Sequence, residues 1–171
     1  MILLALDGHD GAGKTTLARA LAGKLKAHYV RPFGGEQGSR LLRAYKGGDE
    51  DEVLRVGESA LSHALNGLPP NDLAVLDRGW LTVSTLVSAD KMMSEWRLWV
   101  PTALIWCDLP TTLSRLTHRR DERGETNDWH AHFLATYVER ATLRQVPVIR
   151  TDQNDESECI RQLVQLIDQQ R

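Results

Sequence analysis

A chain of 171 residues with 42% hydrophobic and 26% charged residues has the length and balance of one globular domain. Its net charge of −2 supplies no overall basic field to draw in nucleic acid. No apolar run approaches the ~20 residues of a membrane span, the start MILLALDG lacks the basic segment of a secretory leader, and Cys107 and Cys159 stand far apart, so a cytoplasmic protein with two reduced thiols is expected.

Five short apolar runs read as buried strands: ILLALD (2–7), HYVRPF (28–33), LAVLD (73–77), ALIWCDL (103–109) and VPVIRT (146–151). Helical patterns lie between them. TTLARALAGKLKAH sets Leu17, Leu21 and Leu25 four apart on one face. DEDEVLRVGESALSHALNG opens with acids, which suit a helix N-terminus, and carries Leu54, Leu61 and Leu65 as its apolar stripe. GLPPND (67–72) reads as a loop, and DLPTTLSRLTHRR as a helix with Pro110 in its first turn. RRDERGETND (119–128) is a second loop. DWHAHFLATYVERATL then sets Trp129, Phe133 and Tyr137 four apart, and DESECIRQLVQLIDQQ is an amphipathic last helix. Apolar strands alternating with helices predict a parallel sheet covered on both faces, in a single domain spanning 1–171.

Gly8-His9-Asp10-Gly11-Ala12-Gly13-Lys14-Thr15 fits G-x-x-x-x-G-K-[ST] in full, after a strand and before a helix. Glycines let successive backbone N–H groups point into one concavity and cradle phosphate oxygens. The helix that starts here adds the positive end of its dipole. Lys14 is placed to bridge the outer phosphates, and the Thr15 hydroxyl to ligate Mg²⁺. Gly8, Asp10, Gly11, Ala12, Gly13, Lys14, Thr15 and Thr16 are therefore the candidate residues for a nucleoside triphosphate, with His9 read as a bystander. A phosphate loop does not by itself identify the reaction.

LAVLDRGW places Asp77 and Arg78 at the carboxyl end of a predicted strand, the edge where open α/β sheets bind ligands. An acid there orders Mg²⁺ or accepts a proton, and an arginine beside it holds an anionic acceptor. Arg115, Arg119 and Arg123 are spaced four apart in RLTHRRDERGETND, with Arg120 among them. Phosphoryl transfer spreads negative charge over the moving group, so an arginine-rich lid at about 115–128 supplies the complementary charge and excludes water. Standing alone, that charge run favours a solvated basic helix end; the phosphate loop and the Asp77-Arg78 pair turn the reading toward a lid. Trp80, Trp96 and Trp99 read as core packing.

These residues together resemble the thymidylate kinase family, within the nucleoside monophosphate kinases of the P-loop group. DGHDGAGKTTLARAL is similar to that family's phosphate loop and first helix, VRPFGG to its R-E-P-G-G loop, LAVLDRGW to its strand ending in D-R-[YH], and PTALIWCDLPTTLSRLTHRRDERGETNDWHAHFLATYVERA to its strand, helix and lid. The resemblance covers most of the chain and implies a three-layer P-loop NTPase fold, with a five-stranded parallel sheet flanked by helices and an arginine-rich lid. It implies ATP and Mg²⁺ at Lys14 and Thr15, with Arg115 also on the nucleotide. Asp77 then serves the metal or the acceptor, and Arg119 and Arg123 the transferring group. Arg78, Arg55 and Phe33 fall on the acceptor side. RTDQ (150–153) is similar to the segment that covers adenine. A homodimer is consistent with the family.

The departures fall on the acceptor side. Pro32 stands where R-E-P-G-G has its acid, and Phe33 where it has its proline. After D-R the family's serine and tyrosine-glutamine pair are replaced by GWLTVSTLVSADKMMSEW, which offers Ser84 and no Tyr-Gln. The leading expectation is transfer of the ATP γ-phosphoryl to a deoxynucleoside monophosphate, dTMP first. The second keeps the machinery and exchanges the acceptor for a hydroxyl on a nucleoside or a hydroxymethylated pyrimidine, free or in DNA, so DNA enters only as a substrate. A nucleotide-binding module without turnover is the third, and shikimate-type acceptors rank lower because no D-x-D pattern is present.

Overall fold

The computed structural model describes residues 2–69, 72–117 and 125–169. Among them five strands and eight helices alternate: β1 (Ile2–Asp7), α1 (Lys14–Leu25), β2 (His28–Val30), α2 (Glu36–Lys46), α3 (Glu50–Asn66), β3 (Ala74–Asp77), α4 (Trp80–Ser84), α5 (Ala89–Glu95), β4 (Thr102–Trp106), α6 (Leu109–Thr117), α7 (Asn127–Leu143), β5 (Val148–Arg150) and α8 (Glu156–Gln169). The strands form one parallel sheet in the order β2-β3-β1-β4-β5. The most apolar strand is thus central, and chain direction on either side of it aims every strand's carboxyl end at one edge.

The period of two along β1 divides the core. Leu4 and Leu6 face a layer completed by Leu17 and Leu21 of α1 and by Ile160, Leu163 and Ile167 of α8. Ala5 faces the opposite layer, with α3, α4 and α7 supplying Leu54, Leu61, Leu81, Val83 and Tyr137. Both layers are buried and apolar, as expected of an all-parallel sheet covered on its two faces. Trp80 and Trp96 are buried in the second layer, and Trp99 packs on Trp80 with ring centroids 4.9 Å apart. Both cysteines are free and buried.

Each expected strand is present; the first keeps its bounds and the others are shorter, the second ending at Val30 rather than Phe33, the third starting at Ala74, the fourth ending at Trp106 rather than Leu109, and the fifth spanning only Val148–Arg150. Apolar residues past the strand ends belong to loops and first helical turns at the site edge. The helix over 50–66 starts where the acids suggested, because Asp49 accepts a hydrogen bond from the Glu52 amide at 3.0 Å. Three helices, α2, α4 and α5, were not expected; Gly38 and Ser39 in α2, and the β-branched Thr82 and Val83 followed by Ser84 in α4, carry little helical signal. No helix among the described residues is long and apolar enough to cross a membrane.

Candidate active site

The glycine loop joins β1 to α1 at the centre of the sheet edge. Gly8, Gly11 and Gly13 take positive φ of 145°, 82° and 91°, a region that side-chain-bearing residues rarely adopt. Gly8 is additionally forced by contact, since a Cβ there would lie 2.0 Å from the Ile105 carbonyl oxygen. The loop is therefore pressed onto β4. Gly13 caps α1 without a side chain, which leaves the first amides of that helix facing the concavity.

Lys14 and Thr15, the first residues of α1, turn toward the neighbouring strand ends. The Lys14 ammonium is buried and donates to the His9 carbonyl at 2.6 Å, closing the loop on itself. Burial pushes its pKa down to about 7, with Arg78 adding repulsion. The Thr15 hydroxyl donates to Asp77 Oδ2 at 2.7 Å. Asp77 is the last residue of β3 and is only 3% exposed. A hydroxyl that donates to a carboxylate keeps its lone pairs for another partner. Thr15 and Asp77 thus have the donor chemistry and placement for a hard divalent cation, each supplying oxygen. Tyr29 on β2 donates to the same Oδ2 at 2.7 Å, and Arg31 Nε lies 3.6 Å from it. Burial, followed by the bond to Asp77, raises the Tyr29 pKa.

Arg78 follows in the left-handed region at φ 81°. Such a backbone costs on the order of 1–3 kcal/mol in a non-glycine residue, and here it turns the guanidinium back under the loop. Nη1 donates to Gly8 O, Thr82 Oγ1 and Tyr137 OH at 3.2–3.3 Å, and Nη2 to Asp10 Oδ1 at 2.5 Å. The acid within the loop is explained by this pair; Asp10 also lies 3.9 Å from the Lys14 ammonium. Below Arg78, the fully buried Asp7 accepts from the Gly79 and Thr82 amides and from the Thr82 hydroxyl, all through Oδ1. Its Oδ2 has no hydrogen-bond partner among the described residues. Burial raises the Asp7 pKa, against the lowering pull of those bonds and of Arg78.

His9 is not a bystander. It is 4% exposed, and its Nε2 lies 2.8 Å from Nδ1 of His130 on α7. Trp129 and Phe133 pack around the ring, with centroids at 5.4 and 6.1 Å. Burial holds its pKa down at about 4. The loop is thereby fastened to the helix that follows the candidate lid.

On the outer side of the loop, Arg115 Nη1 donates to Gly11 O and Thr151 Oγ1, and Nη2 to Thr151 O, at 2.8–3.1 Å. Thr151 Oγ1 in turn donates to Ala12 O at 2.9 Å. The loop, the end of α6 and the turn after β5 are thus one assembly. It walls a cavity of about 720 Å³ lined by Gly11, Gly13, Thr16, Arg115, Thr151 and Asn154.

The structure therefore brings together Gly8, Asp10, Gly11, Ala12, Gly13, Lys14, Thr15, Asp77, Arg78 and Arg115, with exposed Thr16 on the cavity wall. It does not bring Arg55 to them: that side chain lies on the exposed face of α3, in a forked pair with Glu52 at 2.5–2.6 Å. Phe33 packs partly buried against the second core layer, beside the site edge. Arg119, Arg120, Arg123 and the rest of 118–124, half of the 115–128 lid, lie outside the described residues. Tyr29, Arg31, Thr82, His130 and Tyr137 were not anticipated; they come from β2 and the residue after it, from α4 and from α7, and no spacing in the sequence links these segments to the loop or to Asp77. Asp7 had one available signal, an acid ending an otherwise apolar strand.

No family model and no curated protein matches the chain. Solved structures do. A deoxyadenosine kinase from M. mycoides is 18% identical with a TM-score of 0.68, covering 100% of both chains. A thymidylate kinase from Candida albicans is 15% identical with a TM-score of 0.69, covering 99% of this chain and 91% of its own. A shikimate kinase from Acinetobacter baumannii is 19% identical with a TM-score of 0.62, covering 98% and 93%. With its parallel sheet, central glycine loop and likeness along the whole chain, the protein has the α/β P-loop kinase fold.

Proposed function

We propose that this chain is an ATP-dependent kinase that transfers the γ-phosphoryl to a deoxynucleoside monophosphate, dTMP first. The observation that carries the reading is the Thr15–Asp77 hydrogen bond beneath a three-glycine loop with Lys14 at its exit. A glycine-rich turn without a ligand needs none of these partners. Thr15 and Asp77 would hold Mg²⁺, which when bound neutralises phosphate charge. Lys14 leaves the His9 carbonyl for the outer phosphates, and the backbone amides of Gly11 to Thr15 orient them. Arg115 and the 151–154 turn form the wall for the nucleoside. Arg119 and Arg123 are assigned the charge that develops on the transferring group.

Arg78 is the proposed anchor for an anionic acceptor, because it is held at the strand edge by Asp10 and Tyr137 rather than in solvent. The likeness to a thymidylate kinase and a deoxyadenosine kinase supports a nucleotide or nucleoside acceptor. A hydroxyl acceptor is the second reading, and one observation favours it. Both hydrogen bonds to the Asp77 carboxylate end on Oδ2, so Oδ1 is left to take a hydroxyl proton.

A coupled assay of Mg·ATP consumption with the deoxynucleoside monophosphates and the nucleosides separates the two. Turnover selective for dTMP is expected. Turnover with nucleosides alone transfers the assignment to the second reading, and none with any acceptor while ATP binds refutes both.

A further inference from the structure

One oxygen of a buried carboxylate, Asp77 Oδ2, is approached by three side chains. Two are neutral hydroxyls, Thr15 and Tyr29, both at 2.7 Å. The third is a cation, Arg31, at 3.6 Å. They differ in how firmly they are held. The Asp77 side chain is 3% exposed and that of Arg31 is 55% exposed. Tyr29 is held from behind, with the Arg19 guanidinium 5.2 Å from its ring centroid. The carboxylate is therefore fixed by two hydroxyls in a closed place, while its counter-charge sits at the solvent edge on a long side chain. An exposed ion pair of this kind is weak. Its loss leaves both hydroxyl bonds, and so the position of Asp77, intact.

A divalent cation held by Thr15 and Asp77 would lie within a few ångströms of that guanidinium. Like charges at such range, partly shielded from water, repel strongly enough to displace a half-exposed side chain. The other cations near Asp77, Lys14 and Arg78, cannot withdraw into solvent in this way. Lys14 is buried on the His9 carbonyl, and Arg78 is tied to four partners.

We propose that Arg31 is the resident counter-ion of Asp77, occupying in the free protein the electrostatic role of the metal and expelled when a divalent cation binds with nucleotide. The inference rests on the reading of Thr15 and Asp77 as metal-holding residues. It adds that metal affinity is set below what those two oxygens alone would give. It also makes metal occupancy a signal to the 31–35 segment between β2 and α2, because Arg31 is the first residue after β2.

The test is the affinity of AMP-PNP measured with EDTA and with Mn²⁺, for the wild type, Arg31→Gln and Arg31→Lys. The ratio of the two dissociation constants is the metal coupling. Arg31→Gln is expected to raise that ratio about tenfold, with the EDTA value changed less than threefold. Arg31→Lys keeps the charge and stays near the wild type. A ratio unchanged or lowered in Arg31→Gln overturns the proposal, as does a parallel loss of metal-free binding, which marks a structural role. Failure of the wild type to bind AMP-PNP at all, or to bind it more tightly with Mn²⁺, refutes the donor-site reading itself and is distinct from either result.

Discussion

At the scale of single residues, the site is built around charges taken out of water, Asp7, Lys14 and Asp77, with Asp10 and Arg31 at its solvent edge. Lys14 shows it most directly. With its pKa pushed down to about 7, the amine is largely neutral at pH 8 in the free protein. Phosphate oxygens against it restore the charge, so nucleotide binding at pH 8 takes up about one proton. Calorimetry in two buffers of different ionisation enthalpy reads this number, and zero uptake refutes the contact. Lys14→Ala is expected to lower phosphoryl transfer at least about a hundredfold with the fold intact, checked by turnover beside circular dichroism. Asp7 gives a second case. Its raised pKa means that the folded state resists losing the proton, so a penalty absent below about 3.8 grows as pH rises and is complete above the folded pKa. Asp7→Asn keeps an acceptor for Gly79 and Thr82 and removes the charge. Its stability relative to the wild type should increase from pH 4 to pH 8 in urea unfolding, and a flat difference would show that Arg78 already cancels the penalty.

At the scale of elements, what matters is how the glycine loop is tied to its neighbours. The His9–His130 contact fastens it to α7, and here the sign runs the other way. His9 is neutral in the folded protein down to about pH 4, whereas unfolded histidine takes a proton near 6.5. Stability is therefore full above pH 6.5 and is lost as pH falls toward 4, by about 3 kcal/mol. His9→Gln should flatten that limb of the profile, measured by thermal melts from pH 4 to 7. This link explains why the loop motif was legible in the sequence and its surroundings were not. A run of eight residues with fixed spacing declares Gly8 to Thr15 and the strand and helix on either side. The partners Tyr29, Arg31, Thr82, His130 and Tyr137 meet the loop or Asp77 only after the sheet has ordered the strands, and no local period relates the three segments that carry them to the loop. Arg55 misled because an arginine on an acidic helix start has a nearer partner in Glu52. The α2, α4 and α5 helices are set by tertiary contact: Gly57 of α3 lets α4 approach so closely that a Cβ there would lie 2.8 Å from Val83.

For the molecule as a whole, the loop, Asp77, Arg115 and the turn after β5 come together only in the native state, so under the proposed function nucleotide is expected to stabilise the protein by mass action. At a hundred times the dissociation constant the gain is about 2.7 kcal/mol, or roughly 5–10 °C in melting temperature for a chain of this size. Lys14→Ala should lose most of that shift in a thermal-shift titration. The alternation of strands and helices announced the sheet, but its order did not follow from the sequence, since each neighbouring pair is set by packing between distant segments. That order also governs how the protein is made. Of the five strands the central one leaves the ribosome before the others, yet its partners are Ala74–Asp77 and Thr102–Trp106. Until Ala74–Asp77 has been synthesised, an almost wholly apolar segment has no edge to join. Every strand pairing here is parallel and distant in sequence, a topology that folds slowly. The nascent chain therefore passes through a period in which Ile2–Asp7 is sheltered only by its own first helix, and a holdase that captures short apolar segments would act on it most effectively in that interval.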